Sequence, residues 1–397
     1  MGEVWNGNVW ATIPSSALGS PGFVHQWAYD AIYEQSSGDA LIAFAEGNDL
    51  KYAVWNGSSW TTAALVSNYA VLSGGNTPKR VSMAARPGSD QIALAATDNL
   101  GKTLGFIWDG SSWGNPGFTV YSGTGGSNTV SAVAYEQQSG RVMFTYGKGF
   151  GDAKVYYRIW NGSSLTVEAS MTAPSASYGS SDYPNYTTLA SDPNSNSLVL
   201  GVTTADATTP KTWLNRWDGA SWGTSVTGTV TAVSNQFPGV AVAFERNSGD
   251  ALAVFGNAGS TWVYYKTWTS TVGWLAVQAL AVQVNAVPNT LLLESDPNSN
   301  KIMLAAQNAS GGLYYALWGG TPPFNAAVQL ETNTGGATNY QPFVFLWDNV
   351  PWAASQVSAS SDDAEEVGPG GQWLGGPGNV YLVSSDLELV RDRKSVV

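Results

Sequence analysis

The stretch Trp55-Asn-Gly-Ser-Ser-Trp60 recurs along the chain with small changes, and this recurrence decides the fold. The copies begin at seven tryptophans, which we take as the structural anchors of the repeat: Trp5, Trp55, Trp108, Trp160, Trp217, Trp268 and Trp318. Successive anchors are 50, 53, 52, 57, 51 and 50 residues apart. Seven copies near one period predict a repeat architecture in which each unit packs against its neighbours.

Each copy has the pattern of a β-hairpin. Asn-Gly or Asp-Gly between aromatic-rich runs favours a two-residue turn, because both turn residues tolerate a positive φ. A second hairpin precedes the first in every full period, as in Val133–Glu136, a short turn, and Arg141–Tyr146. Four short antiparallel strands in about 50 residues are typical of one β-propeller blade.

We therefore expect an all-β protein, a β-propeller of seven four-stranded blades, with six or eight blades as the alternatives. Only six periods, residues 24–331, are complete. The hairpin at residues 3–12 lacks strands before it, and the strand-like run Tyr340–Trp347 lacks strands after it. Because open sheet edges invite aggregation, we expect both ends to share one blade and close the ring. The propeller then spans residues 1–347.

The repeat resembles bacterial extracellular propellers that carry a Trp-Asn-Gly-Ser-Ser-Trp hairpin in each blade. It is also loosely similar to sialidase-type Asp-box propellers and to fungal fucose-binding lectins. The Asp box spaces its residues as D-x-G-x-x-W, whereas Asp109 and Gly110 are adjacent here. The resemblance covers residues 1–347 and implies a fold and a secreted or cell-surface location, but it transfers no active site.

The composition changes after residue 347. We expect a linker over residues 348–379 and the truncated start of a second β module over residues 380–397. The segments 357–366 and 380–389 resemble the opening of a β-sandwich module of secreted bacterial proteins, and the tail from Arg391 looks non-native. The acidic group that could bind calcium in an intact module comprises Asp362, Asp363, Glu365 and Glu366. Since Met1 stands inside a repeat unit, we also expect the natural protein to begin upstream.

The composition excludes several classes of function. The 397 residues carry a net charge of -12, which excludes a generally basic surface for nucleic acid. The chain has no cysteine and one histidine, so thiolate chemistry is excluded and a multi-histidine metal centre is nearly so. No apolar run approaches the length of a membrane span. We expect no cofactor other than calcium, and a monomer within a larger multidomain chain.

Two groups of acidic residues are candidates for chemistry. Glu34, Glu136 and Glu245 recur at the end of a hairpin strand, and paired carboxylates catalyse glycoside hydrolysis. Their slots lie about two blades apart, however, so a shared structural role such as accepting turn N–H groups is favoured. Asp192-Pro-Asn and Asp296-Pro-Asn match the first half of a calcium loop, but the later ligands are absent and a plain turn is favoured.

Aromatic residues are the strongest candidates for binding. Tyr156, Trp213, Tyr264 and Tyr314 each lie four residues before an anchor tryptophan, hence on the same strand face. They either pack blade against blade, or form platforms for sugar rings with Arg158 and Lys266 as hydrogen-bond donors. The favoured function is non-catalytic extracellular binding or display, with a glycan or a protein as ligand. The alternative is a secreted glycoside hydrolase or sialidase-like enzyme with its site at the propeller mouth.

Overall fold

The computed structural model describes residues 3–5, 10–12, 28–114, 117–123, 130–174, 178–206, 209–229, 231–232, 238–320, 324–332, 343–347 and 380–384. The first two strands, β1 (Glu3–Trp5) and β2 (Trp10–Thr12), form an antiparallel pair in which Trp5 lies opposite Trp10.

Six antiparallel sheets follow in chain order, and each begins with its innermost strand. Sheet 1 contains β3 (Tyr29–Tyr33), β4 (Ala40–Glu46), β5 (Asp49–Trp55) and β6 (Ala64–Leu65), and is followed by helix α1 (Tyr69–Ser73). Sheet 2 contains β7 (Pro78–Ala85), β8 (Ile92–Asp98), β9 (Thr103–Trp108) and β10 (Phe118–Tyr121). Sheet 3 contains β11 (Ser131–Tyr135), β12 (Val142–Gly147), β13 (Val155–Trp160) and β14 (Ala169–Met171).

The second half of the chain repeats this order. After a 3-10 turn at Ser180–Asp182, sheet 4 contains β15 (Pro184–Ser191), β16 (Leu198–Thr204), β17 (Thr212–Trp217) and β18 (Val226–Thr229). Sheet 5 contains β19 (Val240–Phe244), β20 (Ala251–Gly256) and β21 (Trp262–Thr269), with its outer edge divided into β22 (Gly273–Trp274) and β23 (Gln278–Gln283). Sheet 6 contains β24 (Pro288–Ser295), β25 (Ile302–Asn308), β26 (Leu313–Trp318) and β27 (Val328–Glu331).

The innermost strands of neighbouring sheets pack side by side around one axis. A cavity of about 180 Å³ on this axis is lined by residues from all six innermost strands, β3, β7, β11, β15, β19 and β24. This radial arrangement is that of a β-propeller, and the expected all-β fold is confirmed. The expected seven four-stranded blades are not: the described residues form six such sheets, because each end of the chain supplies only one pair of strands.

The two strand pairs at the chain ends lie close to each other. β28 (Phe343–Trp347) pairs with β29 (Val380–Ser384), and Trp347 lies opposite Val380. β28 packs between β24 and β3, while β29 lies next to β1. β29 belongs to the segment that the sequence assigned to a second module, and here it pairs with the propeller strand β28. The acidic group at residues 362–366 lies outside the described residues.

The turns of the anchor hairpins differ from the two-residue turns that the sequence predicted. Trp55 bridges directly to Trp60, so the loop has four residues rather than two. Gly57 has a φ of 84°, whereas Asn56 does not have a positive φ. The Asn56 side-chain oxygen instead accepts hydrogen bonds from the backbone N–H groups of Ser58 at 3.1 Å and Ser59 at 2.9 Å. A side chain that closes the turn in this way removes the need for a second positive φ.

All neighbouring sheets pack against each other, but three of their interfaces, between sheets 1 and 2, 3 and 4, and 5 and 6, share one further hydrogen bond. In every pair the indole N–H of an anchor tryptophan donates to a glutamate carboxylate of the preceding sheet. These hydrogen bonds join Trp108 to Glu34, Trp217 to Glu136, and Trp318 to Glu245. The three glutamates are thus structural hydrogen-bond acceptors in separate sheets, and they form no carboxylate pair of the kind that glycoside hydrolysis requires. We call each such unit a sheet pair.

Candidate functional site

The interfaces within a sheet pair bury the aromatic residues that the sequence offered as sugar platforms. Trp213 is 0% exposed and packs among Val155, Met171 and Leu200. Tyr314 is 4% exposed, and its hydroxyl accepts a hydrogen bond from Asn285 at 3.2 Å. A side chain with no free face cannot stack on a sugar. The prediction that these two residues form platforms for sugar rings is therefore wrong. They pack blade against blade, which was the alternative interpretation.

The interface between sheets 2 and 3 is different, because three tyrosines there stack and two of them reach solvent. The ring centroids of Tyr121 and Tyr146 lie 5.2 Å apart, and those of Tyr146 and Tyr156 lie 6.0 Å apart. Tyr146 is buried, whereas Tyr121 and Tyr156 are partly exposed. The rings come from β10, β12 and β13, so only the packing of two sheets brings them together.

Charged side chains surround these rings. Lys148 Nζ lies 3.7 Å from the Tyr156 ring centroid and 5.6 Å from that of Tyr121, within the range of a cation–π contact. The same Nζ pairs with a Glu168 oxygen at 2.6 Å, and the Tyr146 hydroxyl donates to Glu168 at 2.6 Å. We call the tyrosine site the set Tyr121, Tyr146, Lys148, Asp152, Tyr156 and Glu168.

The local environment fixes the protonation of the tyrosine site. Burial, together with a hydrogen bond donated to Asp152 at 2.7 Å, raises the pKa of Tyr156 to about 12. Burial and Glu168 likewise raise the pKa of Tyr146. Burial alone would raise the pKa of Glu168, but the donors Lys148 and Tyr146 outweigh it, so the net shift is downward. At neutral pH the three tyrosines therefore keep their hydroxyl protons, and the Glu168 carboxyl group is ionised.

Arg158, predicted as a donor to ligand, bonds to the backbone instead. Its Nε donates to the Thr166 carbonyl at 2.9 Å, and its Nη1 donates to the Val120 carbonyl at 3.3 Å. Beside it, Phe118 stacks on the anchor Trp160 with ring centroids 4.4 Å apart. Arg158 therefore ties β10, the strand that also carries Tyr121, to sheet 3.

The interface between sheets 4 and 5 carries a plainer version of the same arrangement. Tyr264 stacks on Phe255 with ring centroids 6.4 Å apart, and its hydroxyl lies 3.4 Å from Ser260 Oγ. Ser260 stands four residues before Tyr264, as Asp152 stands four residues before Tyr156. Burial lowers the pKa of Lys266. This second interface has the aromatic pair but a hydroxyl in place of the carboxylate.

Two acidic side chains lie on the innermost strands, Asp30 on β3 at the central cavity and Glu294 on β24. Asp30 accepts hydrogen bonds from the backbone N–H groups of Met83 at 2.7 Å and Ala31 at 2.9 Å. Burial nevertheless raises the pKa of Asp30 to about 7. Burial, and then the Asp30 carboxylate, raise the pKa of Glu294 to about 8.

Several residues of the tyrosine site were not predicted from the sequence. Tyr121, Tyr146, Lys148, Asp152 and Glu168 belong to four separate segments and share no motif. The one available signal was the four-residue spacing of Asp152 and Tyr156. That spacing indicates a contact only once the conformation of the loop between them is known.

The candidate calcium loops are turns, since Asp192 Oδ1 accepts from the Asn194 N–H at 2.9 Å and Asp192 Oδ2 accepts from Ser195.

Neither a metal cluster nor a membrane-spanning helix is found in the part of the chain that the structure describes. No group of three or more His, Cys, Asp or Glu side chains is placed to hold a metal ion among these residues. No helix in the described ranges is long and apolar enough to cross a membrane.

Comparisons with known proteins return propeller lectins. No protein-family model matches the chain, and no curated protein matches it. Solved structures do match. The SapL1 lectin in complex with α-methyl fucoside is 14% identical with a TM-score of 0.44, over 79% of this chain and 97% of that one. AofleA from Arthrobotrys oligospora is 12% identical with a TM-score of 0.47, over 78% and 88% of the two chains.

A third match is the Aleuria aurantia lectin, described as a six-bladed β-propeller with a novel fucose recognition mode. It is 16% identical with a TM-score of 0.42, over 77% of this chain and 96% of that one. Similarity at this level transfers no binding residue, so the site has to be judged from its own side chains.

Proposed function

We propose that this chain is a non-catalytic glycan-binding propeller that acts outside the cell, and that the tyrosine site is its principal binding site. The observation that carries the proposal is the stack of three tyrosines ringed by Lys148, Asp152 and Glu168. A binding site of this kind combines apolar ring surface with a few fixed polar groups that set orientation. Sugars offer apolar C–H faces and many hydroxyl groups, which are the complement of such a surface.

The charges of the site favour binding over hydrolysis. A glycosidase needs one carboxylic acid that keeps its proton near neutral pH. The pKa of Glu168 is lowered, so this group is an ionised hydrogen-bond acceptor.

The hydrolase alternative retains one observation in its favour, the raised pKa values of Asp30 and Glu294. The central cavity, which Asp30 lines and Glu294 does not, has a volume of about 180 Å³, smaller than the roughly 300–1,000 Å³ of typical ligand pockets. An oligosaccharide therefore has little room beside Asp30, and the two acids do not face one common pocket. We therefore place binding ahead of catalysis.

The experiment is a glycan array probed with the purified protein, followed by substitution of Tyr156. The array should include fucosides, because α-methyl fucoside is the ligand of one of the similar lectins. We expect Tyr156→Ala to weaken binding at least tenfold, which corresponds to about 1.4 kcal/mol. Tyr264→Ala is the matched control, since Tyr264 holds the same strand position beside fewer charged groups, and it should weaken binding less.

The proposal fails if the wild type binds no glycan, or if Tyr156→Ala binds as well as the wild type while keeping its thermal stability. Two similar interfaces on one ring also predict avidity. Binding to a densely printed glycan should exceed binding to the same glycan at low density, and the difference should shrink in Tyr264→Ala. Equal reductions by both substitutions would indicate two equivalent sites.

We also infer how the ring closes. The order of contacts β28, β29, β1, β2 matches the order from the innermost to the outermost strand in sheets 1 to 6. A composite sheet built in this way from both chain ends supports a closed scaffold without free inner edges. Such a rigid ring would hold the two binding interfaces at a fixed separation.

A further inference from the structure

A loop beside the tyrosine site presents an aromatic ring to solvent. The rim loop, residues 148–152, lies in the connection between β12 and β13 and carries Phe150 at its centre. Phe150 is 80% exposed. An apolar side chain left in water forgoes the favourable free energy that its burial would contribute. An exposed aromatic next to a candidate site is therefore a candidate contact for the same ligand.

The backbone of the rim loop is held on both sides of Phe150. Gly149 and Gly151 flank Phe150, and both have a φ of 87°, which other residues adopt only with strain. The Asp152 N–H donates to the Gly149 carbonyl at 3.3 Å and closes the turn. Both ends of the rim loop contact Tyr156: Lys148 makes a cation–π contact with its ring, and Asp152 accepts a hydrogen bond from its hydroxyl. A loop backbone that is held in advance loses less entropy when a ligand binds than a free loop does.

Phe150 extends the aromatic surface of the tyrosine site across sheet 3. Its ring meets that of Tyr183 edge to face, with centroids 5.7 Å apart. Tyr183 immediately precedes β15 of sheet 4, whereas Tyr121 belongs to sheet 2 on the other side. Phe150 is two residues from Lys148, so their Cα atoms are at most about 7 Å apart. Aromatic surface thus continues from the tyrosine site to the start of sheet 4.

We propose that Phe150 and Tyr183 form a second subsite that contacts the next sugar of a chain whose terminal sugar occupies the tyrosine site. The ligand class is then an oligosaccharide of two or more sugars rather than a free monosaccharide. This inference rests on the proposed function, since it assigns a second contact to the same ligand. It adds a specificity-determining residue that the sequence repeat does not contain, because the other loops at this position have no such Gly-Phe-Gly segment.

The test compares short and longer glycans on one array. Monosaccharides are printed beside di- to tetrasaccharides that end in the same sugars, and wild type is compared with Phe150→Ala. Because Phe150 is exposed, its removal should leave thermal stability unchanged. We expect Phe150→Ala to lower the apparent affinity for the oligosaccharides about tenfold and for the monosaccharides less than twofold. Phe150→Tyr should restore oligosaccharide binding, and Val272→Ala, at another exposed apolar side chain (68% exposed), should change neither.

The outcomes separate this inference from the proposed function. If Phe150→Ala weakens both classes equally or neither, the second subsite is wrong while the tyrosine site stands. If Tyr156→Ala leaves glycan binding intact, or the wild type binds no glycan, the proposed function fails and the second subsite fails with it. A loss that Phe150→Tyr does not restore would also overturn the role of the aromatic ring.

Discussion

Two carboxyl groups on the innermost strands, those of Asp30 and Glu294, lead us to expect that the stability of the propeller depends on pH. Asp30 and Glu294 have pKa values raised to about 7 and about 8, against ordinary values of 3.8 and 4.5. A raised pKa means that the folded state binds the proton more tightly than the unfolded state does. Their contribution to stability is therefore complete below about pH 4 and is lost as the pH rises towards 8.

We predict that Glu294→Gln removes part of this dependence. The neutral amide has the shape of the protonated acid, so the variant should match the wild type near pH 4. At pH 9 it should be more stable by a few degrees in Tm, because a tenfold difference in proton affinity between the folded and unfolded states corresponds to about 1.4 kcal/mol. The measurement is thermal unfolding from pH 4 to pH 9. A Tm difference that is the same at both extremes would contradict the raised pKa of Glu294.

Single residues also limit what the sequence could predict. Tyr156 and Tyr314 occupy the same position before an anchor tryptophan, and the pattern treats them alike. One is partly exposed beside Lys148, and the other is 4% exposed in the core. The difference comes from which sheet lies against each strand, and spacing along one strand carries no information about that neighbour.

At the scale of elements, the anchor tryptophans do more than mark the repeat. The sequence predicted four strands per period, and the sheets follow it because Gly-containing turns and alternating apolar residues are local signals. The association of sheets in pairs was not predicted. It depends on Glu34, Glu136 and Glu245 meeting tryptophans 73 to 81 residues later in the chain.

We predict that Trp318→Phe destabilises the pair of sheets 5 and 6. The substitution removes the donor that reaches Glu245 at 2.6 Å, and a buried carboxylate that loses a donor costs about 1–3 kcal/mol. Trp113→Phe is the matched control, because Trp113 is 4% exposed and its indole nitrogen has no hydrogen-bond partner among the described residues. Both variants lose similar ring area, so denaturant unfolding should show a larger loss for Trp318→Phe. Equal losses would mean that ring packing alone joins the sheets.

At the scale of the whole molecule, the stability of the ring depends on the ends of the chain. We predict that removing residues 1–12 lowers the Tm markedly and promotes association, because β29 would then expose an edge. Removing residues 380–397 should have a similar effect, since β29 lies between β28 and β1. Removing only residues 385–397 keeps every described strand and serves as the control. Unchanged thermal stability and a monomeric profile in all three truncations would contradict closure by both ends.

The two chain ends carry clearer local signals than the segment after residue 347. Residues 3–12 and the strand ending at Trp347 have the same sequence patterns as complete blades, and closure of one blade by both ends stays a prediction. Val380–Ser384 lies 33 residues beyond Trp347 in a segment of different composition. Its apolar residues are compatible with pairing to the edge of any sheet. Only the structure shows that its partner is β28.

The association of sheets in pairs sets the unit in which this ring could have grown. If recombination excised one sheet, a tryptophan hairpin would face a sheet without its glutamate, or a glutamate would face no indole. Excision or duplication of two neighbouring sheets that form a pair leaves every remaining pair with its Glu–Trp hydrogen bond, and each remaining sheet still meets a neighbour of the same kind as before. Variation in ring size among descendants of such a gene would then proceed in steps of two blades, and each step would add or remove one interface of the kind that carries the tyrosines.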